Sequence, residues 1–564
     1  MLTQEGAVSG EIPVLIAGAG PVGLTLAADL AWRGVASVIV DPQVQVHPHP
    51  RAISIGVRSM EHFRRLGLDQ HVIDAGVPRN RPLDVVYVTR MLGREIFRFR
   101  FPSIAALDHD KESLTRSTPE IAASPYFKTW VAQSPLERML RAHLAKLANV
   151  QIRLGWRLAG FDEHDGGVVA RLLDEANGAT HSVTTRYLVG CDGANSTVRA
   201  GLGIRLEGRG TLGQARGIHF RSPALDERLK ADPAVMYWVL APGAGGTIYT
   251  INGGGEWVFN RYPGADETAD EGDLNNEGEL NKAVDPVKLV QSAIGEALDI
   301  EILSVQDWLP RQLVAERFCS RRVFLAGDAC HLFVPTGGFG MNTGIADAAD
   351  LAWKIAAVEA GWGGENLLAS YDSERRPVGQ FNTLEAADNY ARSGDLFKVP
   401  ASIEADDAEG QDARIAVAAK LPPKIKHFAP IGVHLGYRYE DSPLIVPDGT
   451  PLPPQETASY TPTTRPGHRA PHAWLADGRS TLDLFGAGFV LLRLGRAAPG
   501  GGILQSAARE AGVPLSIFAI DDAAIAALYE RRLVLVRPDG QVAWRSDAEP
   551  EDAAALIARI TGGM

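Results

Sequence analysis

Three short apolar runs in this chain each end at or beside an aspartate: Ser37–Val40 at Asp41, Tyr187–Val189 near Asp192, and Val323–Ala326 near Asp328. Runs of this length suit buried strands and are too short for helices. A carboxylate at the carboxyl end of such a strand lies where open α/β sheets bind ligands. After Asp328 comes a glycine-dense loop with Pro335, Gly337, Gly338 and Gly340. Apolar residues then recur at helical spacing (Ile345, Ala349, Leu351, Ala352, Ile355), which predicts a helix from about Met341 to Val358. Unblocked amides at a helix start beside a strand-end acid suit an anionic or electron-rich cofactor edge together with a hydroxyl.

The N-terminal stretch repeats the theme. Val14–Ala17 reads as a strand, Gly18, Gly20 and Gly23 form G-x-G-x-x-G, and Leu24, Leu26, Ala27 and Leu30 start a helix. Asp41 ends the next strand, roughly twenty residues beyond Gly23, where a ribose-binding acid is expected. The glycines allow a tight turn and close approach of a pyrophosphate to the helix. This is a dinucleotide site; the unit alone does not separate NAD(P) from FAD. Arg51, close behind, can bridge phosphates or sit against an isoalloxazine edge. Gln133 precedes a helix carrying Leu136, Met139, Leu140, His143 and Leu144 on one face. It can hydrogen-bond a ribityl chain or simply begin the helix. His47 and His49 alternate with prolines, and that turn offers too few ligands for a metal site. No metal is expected.

The elements that must position these residues need room. The chain has 564 residues, enough for two or three domains. A net charge of -12 without a basic face argues against nucleic acid. No stretch of eighteen apolar residues and no basic-then-apolar leader are present, so no membrane span is expected and the chain reads as cytoplasmic. Cys191, Cys319 and Cys330 read as free thiols in a reducing compartment. Residues 202–307 alternate like antiparallel sheet: Gly217–Phe220, Val235–Trp238, Thr247–Thr250 and Trp257–Phe259. Within it Arg216, His219, Tyr237, Trp238 and Tyr249 can line an aromatic-substrate pocket, or belong to an ordinary half-buried sheet. The acidic tract from Asp266 to Glu279 reads as a solvated loop. Glu404–Asp412 and Pro447–Pro466 read as linkers.

GAGPVG, PRA with RSMEHFRRLGL, CDGANSTVR, AGDACHLFVPTGGFGMNTG and YDSERRPVG occur in one order along residues 12–390. That set resembles the class A flavoprotein monooxygenases of the para-hydroxybenzoate hydroxylase type. The resemblance implies a Rossmann-like FAD-binding α/β domain (1–200 and 300–400) with an antiparallel, α+β substrate domain (80–120 and 201–299). It implies that Gly18, Gly20, Gly23 and Asp41 hold the ADP half of FAD. Arg51 and Gln133 would contact the flavin side, Asp192 both FAD and NAD(P)H, and Asp328 the ribityl hydroxyls. Pro335, Gly338, Gly340, Met341 and Asn342 would border the isoalloxazine and build the oxygen-reacting pocket.

The chemistry implied is reduction of FAD by NAD(P)H, addition of O2 to give a C4a-hydroperoxide, and hydroxylation of an electron-rich phenolic or polycyclic substrate. Some phenol-hydroxylating relatives carry a histidine base two residues after the arginine matching Arg51. This chain has Ile53 there, so another base, water or a different substrate class is needed.

Residues 401–455 would connect to a domain at 456–564. That domain looks like the thioredoxin-like unit of the longer phenol hydroxylases and of tailoring oxygenases from polyketide and indolocarbazole pathways. It contains no cysteine, so thiol–disulfide exchange is excluded, and packing or homodimer formation is its expected role. A reductase or dehydrogenase that inserts no oxygen, and a non-catalytic FAD-binding protein, are the alternatives.

Overall fold

Strands buried on both faces read as unbroken apolar runs, and Ile12–Ala17 is buried at every position except Pro13. It sits at the middle of a seven-stranded sheet, with Ser37–Asp41 and Thr180–Gly190 parallel on either side and Val323–Leu325 parallel beyond. Ala17 is level with Val40 and with Gly190, and Gly190 with Leu325. The glycine turn, Asp41, Asp192 and Asp328 therefore share one rim of the sheet. Val150–Leu154 extends it in parallel, and Gly167–Asp174 and Trp156–His164 extend it antiparallel. The computed structural model describes residues 12–111, 114, 119–262 and 285–563. The chain's first eleven residues and the tract from Asp266 to Glu279 lie outside the described residues.

Five helices matter for the site: α1 (Pro21–Trp32), α2 (Val57–Arg65), α3 (Gln133–Leu144), α4 (Phe339–Glu359) and α5 (Glu365–Gly394). α4 begins two residues before the expected Met341 because Gly338, at φ +67°, takes the left-handed turn that starts it. α4 is buried along almost its whole length. It lies tight on α1 because Gly344 has no side chain: a Cβ there would sit 2.5 Å from Val22 Cγ2.

The expected antiparallel sheet is present, with seven strands in the order Glu301–Trp308, Ala215–Arg221, Glu256–Arg261, Gly246–Thr250, Met236–Val239, Val85–Val88 and Glu95–Phe99. One pair in it, Met236–Val239 with Val85–Val88, is parallel. Alternation splits its side chains. Ile218, Phe220, Tyr237, Ile248, Trp257 and Phe259 pack on the helix Pro286–Ile294. Tyr87, Trp238, Tyr249 and Val258 pack with Trp130 and Ile53, segments flanking the Rossmann-like rim.

The segment expected as an acidic linker at Glu404–Asp412 is instead a packed element. It forms a short turn at Ala401–Glu404 and the start of a helix, Ala408–Ala418. Ile403 and Val417 bury in the same cluster as Trp238, while Glu404 pairs with Arg90 outside it. The acidic residues made this segment look solvated; the apolar ones flanking them, Ile403 and Val417, decide its fate.

Phe489–Leu494 pairs parallel with Leu515–Ile520 and antiparallel with Leu533–Val536, which pairs in turn with Val542–Ser546. This sheet is fastened to the rest by buried charges. Arg537 donates to both oxygens of Glu374 (2.5 and 2.9 Å) and to Asp350 (3.3 Å). Lys354 donates to Asp350 (2.7 Å) and Glu374 (2.6 Å). Every charge in that set is paired, as burial of an ion requires.

Candidate functional site

The glycine turn shows three different needs. Gly18 has φ +109°, and a Cβ on it would lie 2.2 Å from the Cys191 carbonyl oxygen. A Cβ on Gly23 would lie 2.1 Å from the Gly18 oxygen. A Cβ on Gly20 would meet nothing within 4 Å. Protein packing thus requires the outer two glycines, while the middle one leaves open space at the start of α1, whose first turn no side chain caps. Room plus free amides is what a pyrophosphate needs.

The strand-end acids differ. Asp41 accepts from the Ala19 N–H (2.6 Å) and the Gln43 N–H (2.7 Å), tying its strand to the glycine turn. Asp192 is committed locally: it accepts from Ser196 Oγ and from the Val198 N–H (3.1 Å), capping the short helix Thr197–Gly201. Asp328 accepts no hydrogen bond from any described residue. Its side chain is exposed, yet surrounding protein desolvates it and raises its pKa, with His331 and Arg51 pulling the other way. An exposed atom enclosed by protein faces an internal hollow. Arg199, which the sequence reading left unassigned, spans the two loops by donating to the Ala329 carbonyl (2.9 Å) and the Ala194 carbonyl (2.8 Å).

Arg51 is exposed and makes no hydrogen bond or ion pair with any described residue, while its charge acts on Asp328, Glu137 and His49. The Gln133 N–H donates to the Ala52 carbonyl (2.8 Å), and its side chain donates to Glu137 (2.7 Å). The Arg51 charge reaches both Asp328 and Glu137, the carboxylate that holds Gln133, which puts Arg51 beside the hollow and Gln133 near it. The donor set and the open glycine face fit FAD.

The start of α4 lies against Ser54 and Gly56, a few residues after Arg51. Gly337 (φ +95°) and Gly338 (φ +67°) turn the chain, and no side chain caps the first-turn amides. Pro335 is exposed in this loop, Gly340 faces Phe333, and Met341 packs against the main core. The Asn342 side chain, expected at the reacting flavin, is fully used elsewhere. It accepts from the Gly56 N–H and Ser59 Oγ (2.7 Å each) and donates to the carbonyls of Gly338 (2.7 Å) and Ser54 (3.1 Å). It staples α2 to α4. Beneath the loop, Asp347 is held below the usual carboxylate range: burial would raise it, but His331 and Arg375 override that. Cys330, His331 and Asp347 cluster like metal ligands. The Asp347 oxygens, however, already serve His331 (2.7 Å), Arg375 (2.8 Å) and the Gly327 N–H (3.1 Å), which makes this a structural network.

Of the sheet residues expected at the substrate, Trp238, Tyr249 and His219 lie on the face toward the hollow. Tyr237 and Arg216 do not. Tyr237 packs with Trp257 on the opposite side, and Arg216, in step with Ile218, pairs there with Asp307 (2.7 Å). Trp238 is walled in by Tyr87, Phe397, His427 and Phe428. Around Tyr249 stand Trp130 and, further along, Tyr262, Tyr390 and Trp308. Within this aromatic surface Gln306, Gly217, Asn260 and Thr247 form one polar row across four strands. His49 rests in the gap left by Gly217, where a Cβ would lie 2.6 Å from its Nε2 and 3.2 Å from Asn260 Oδ1. Ser304 Oγ holds its Nδ1 (2.9 Å). Burial and then His219, His47 and Arg51 push its pKa down to about 4, so the ring is neutral near pH 7. Sequence reading set His49 aside as a loop histidine; only the fold brings it to Gly217.

A family model described as an FAD binding domain matches residues 11–386, and one described as the C-terminal part of aromatic-ring hydroxylases matches 463–563. An FAD-dependent monooxygenase, apdD, of Emericella nidulans is 33% identical, covering 97% of this chain and 90% of that protein. The rebeccamycin biosynthetic enzyme RebC with reduced flavin superposes with a TM-score of 0.87 at 37% identity, over 99% of this chain and 100% of that one. Aklavinone-11 hydroxylase, solved with FAD and aklavinone, gives 0.79 at 28% identity over the same shares.

Proposed function

The chain belongs to the FAD-dependent aromatic-ring hydroxylases, flavoprotein monooxygenases that use NAD(P)H and O2, and we propose that its own substrate is a polycyclic aromatic compound bearing a phenolic hydroxyl. The observation that carries this reading is the sheet face over the hollow: a broad aromatic wall interrupted by one neutral polar row. A flat polycycle buries against rings such as Tyr249, Trp130 and Tyr262. Asn260 Oδ1 accepts no hydrogen bond from a described residue, so it calls for a donor on the ligand. A hydroxyl provides one and can also bond a neutral His49. The similar aklavinone-11 hydroxylase holds aklavinone together with FAD, which supports a ligand of this class.

Bound FAD supplies acceptance of hydride from NAD(P)H and activation of O2. This chain's residues hold and shape that chemistry. The open face at Gly20 and the α1 amides take the pyrophosphate, Asp41 a ribose hydroxyl, and Asp328 a ribityl hydroxyl. Arg51 and Gln133 flank the flavin. The uncapped amides at Phe339–Met341 favour negative charge developing next to them. Tyr249, Trp238 and the segment 396–428 exclude water from the substrate side. Because Ile53 is apolar, the substrate hydroxyl is oriented by the His49–Asn260 pair rather than from that position.

The division into a discontinuous FAD domain, a substrate domain and a C-terminal unit follows the three large sheets. The C-terminal strand order supports a thioredoxin-like unit, since its first two strands are parallel and the third is antiparallel between the first and fourth. Three free cysteines agree with a cytoplasmic setting. A homodimer remains the proposed assembly, to be checked by light scattering. The substrate assignment is tested by anaerobic reduction of the purified flavoprotein with NADH and NADPH, alone and with phenol, naphthols or hydroxyanthraquinones. Faster reduction with a polycyclic phenol is the expected result; acceleration by phenol alone would overturn the polycyclic assignment.

A further inference from the structure

A hydrogen-bonded path leaves the C-terminal sheet and ends at the start of α4. The turn Arg537–Gly540 joins the last two strands, and Arg58 Nη2 donates to its Asp539 carbonyl (2.5 Å). Gly540 (φ +85°) presses close, for a Cβ there would lie 3.2 Å from Arg58 Nη2. Arg58 is only 6% exposed, and its remaining nitrogens donate to Glu61 (2.8 Å) and the Tyr437 hydroxyl (3.3 Å). It belongs to the first turn of α2. On either side of it in sequence, the Gly56 N–H and Ser59 Oγ both donate to Asn342 Oδ1. Asn342 in turn donates to the Gly338 carbonyl.

The loop at the end of this path needs an anchor. It contains two left-handed glycines, and glycine loses the most conformational freedom on ordering. It has no capping side chain of its own. Asn342 supplies the anchor, and an anchor is only as steady as the turn of α2 it grips. That turn carries a buried guanidinium which water cannot satisfy if the Asp539 carbonyl withdraws, so the contact resists loosening. Glu61, in the next turn, is held at about 2 against the effect of burial by Arg469 and Arg58, which ties the same helix to the C-terminal region a second time.

We propose that Arg58 is a positioning residue through which the C-terminal sheet sets the placement of the Gly337–Gly338 turn and the first turn of α4, and with it the edge of the flavin. The unit without a cysteine thereby tunes the redox site from a distance. The proposal rests on the reading of that loop as a flavin edge given above.

A second contact between α2 and the C-terminal region provides the control. Arg64, in the last turn of α2, forms a two-pronged bridge with Asp483 (2.6 and 2.9 Å), away from Asn342. Hydrogen–deuterium exchange is followed in FAD-free protein on peptides spanning 336–345. Arg58→Leu is expected to speed exchange there by about ten-fold or more, and Asp483→Asn to leave it within about two-fold of wild type. Arg58→Lys keeps the charge beside Glu61 and loses the Nη2 donor to the Asp539 carbonyl. It should fold and show an intermediate effect, so the test stands if Arg58→Leu does not fold. In the FAD-loaded proteins the flavin midpoint potential should fall in the Arg58 variants, because amides that favour the reduced, anionic flavin lose their aim, and should not move in Asp483→Asn. Equal exchange in the Arg58 and Asp483 variants would overturn the proposal. So would a loosened loop with an unmoved potential. A wild-type protein that takes up no FAD would instead overturn the hydroxylase reading.

Discussion

Asp192 and Asp328 stand on neighbouring strand ends, each beside a glycine, and a reading of type and spacing treats them alike. Their surroundings do not. Asp192 spends its oxygens on Ser196 and the Val198 amide of its own loop. Asp328 makes no bond to a described residue and faces the hollow that Arg51 also borders. Burial raises the pKa of both acids, so the shift does not separate them; hydrogen bonding does. An acid satisfied within its own turn builds the frame. An acid left unsatisfied at the frame's rim is free for a ligand.

The contrast can be broken first at the point where both loops meet the glycine turn. Gly18→Ala places a Cβ against the Cys191 carbonyl in a left-handed conformation, and should cost at least about 3 kcal/mol. Thermal unfolding should show that loss even without FAD, whereas Gly20→Ala should leave the FAD-free Tm in place and weaken FAD binding. Next comes Asp328→Asn. Losing a charge-assisted bond of about 1.5–3 kcal/mol should raise the FAD Kd about 10- to 100-fold, read by flavin fluorescence titration.

The same variant has an opposite effect on the empty protein. Because its folded pKa is raised, Asp328 contributes stability below the unfolded carboxyl value of 3.8 and loses it as pH rises through the folded one. At pH 7 Asp328→Asn should therefore raise the FAD-free Tm, with the gain vanishing in acid. Arg199→Met removes the link between the two loops and should cost about 1–2 kcal/mol, together with a modest loss of FAD affinity. Asp192→Asn is the smallest change: about 1 kcal/mol for a weakened helix cap, with an FAD Kd near that of wild type. If Asp192→Asn were to weaken FAD as much as Asp328→Asn, the distinction would fail.

What could be seen in the sequence follows the same division. Gly18, Gly23 and Gly338 were legible because backbone geometry and close approach demand glycine wherever the fold is made. The rim of acids was legible because parallel strands of equal height need apolar runs that stop together. The staple made by the Asn342 side chain was not legible, because its partners Gly56 and Ser59 lie far away along the chain and no local pattern announces a side chain whose four bonds are taken. Tyr237 and Arg216 went to the wrong face because a period of two sorts residues into two sets without saying which set meets the cofactor. His49 was passed over since its significance depends on Gly217, a glycine that needs no unusual backbone angle and serves only to leave room.

Oxygen insertion by this frame is read out by mass spectrometry of the product formed under 18O2. With NAD(P)H and the polycyclic phenol that best accelerates flavin reduction, one labelled oxygen atom per product molecule is predicted, and none from labelled water. An unlabelled product, or NAD(P)H consumption ending only in hydrogen peroxide with every compound that accelerates reduction, would contradict it.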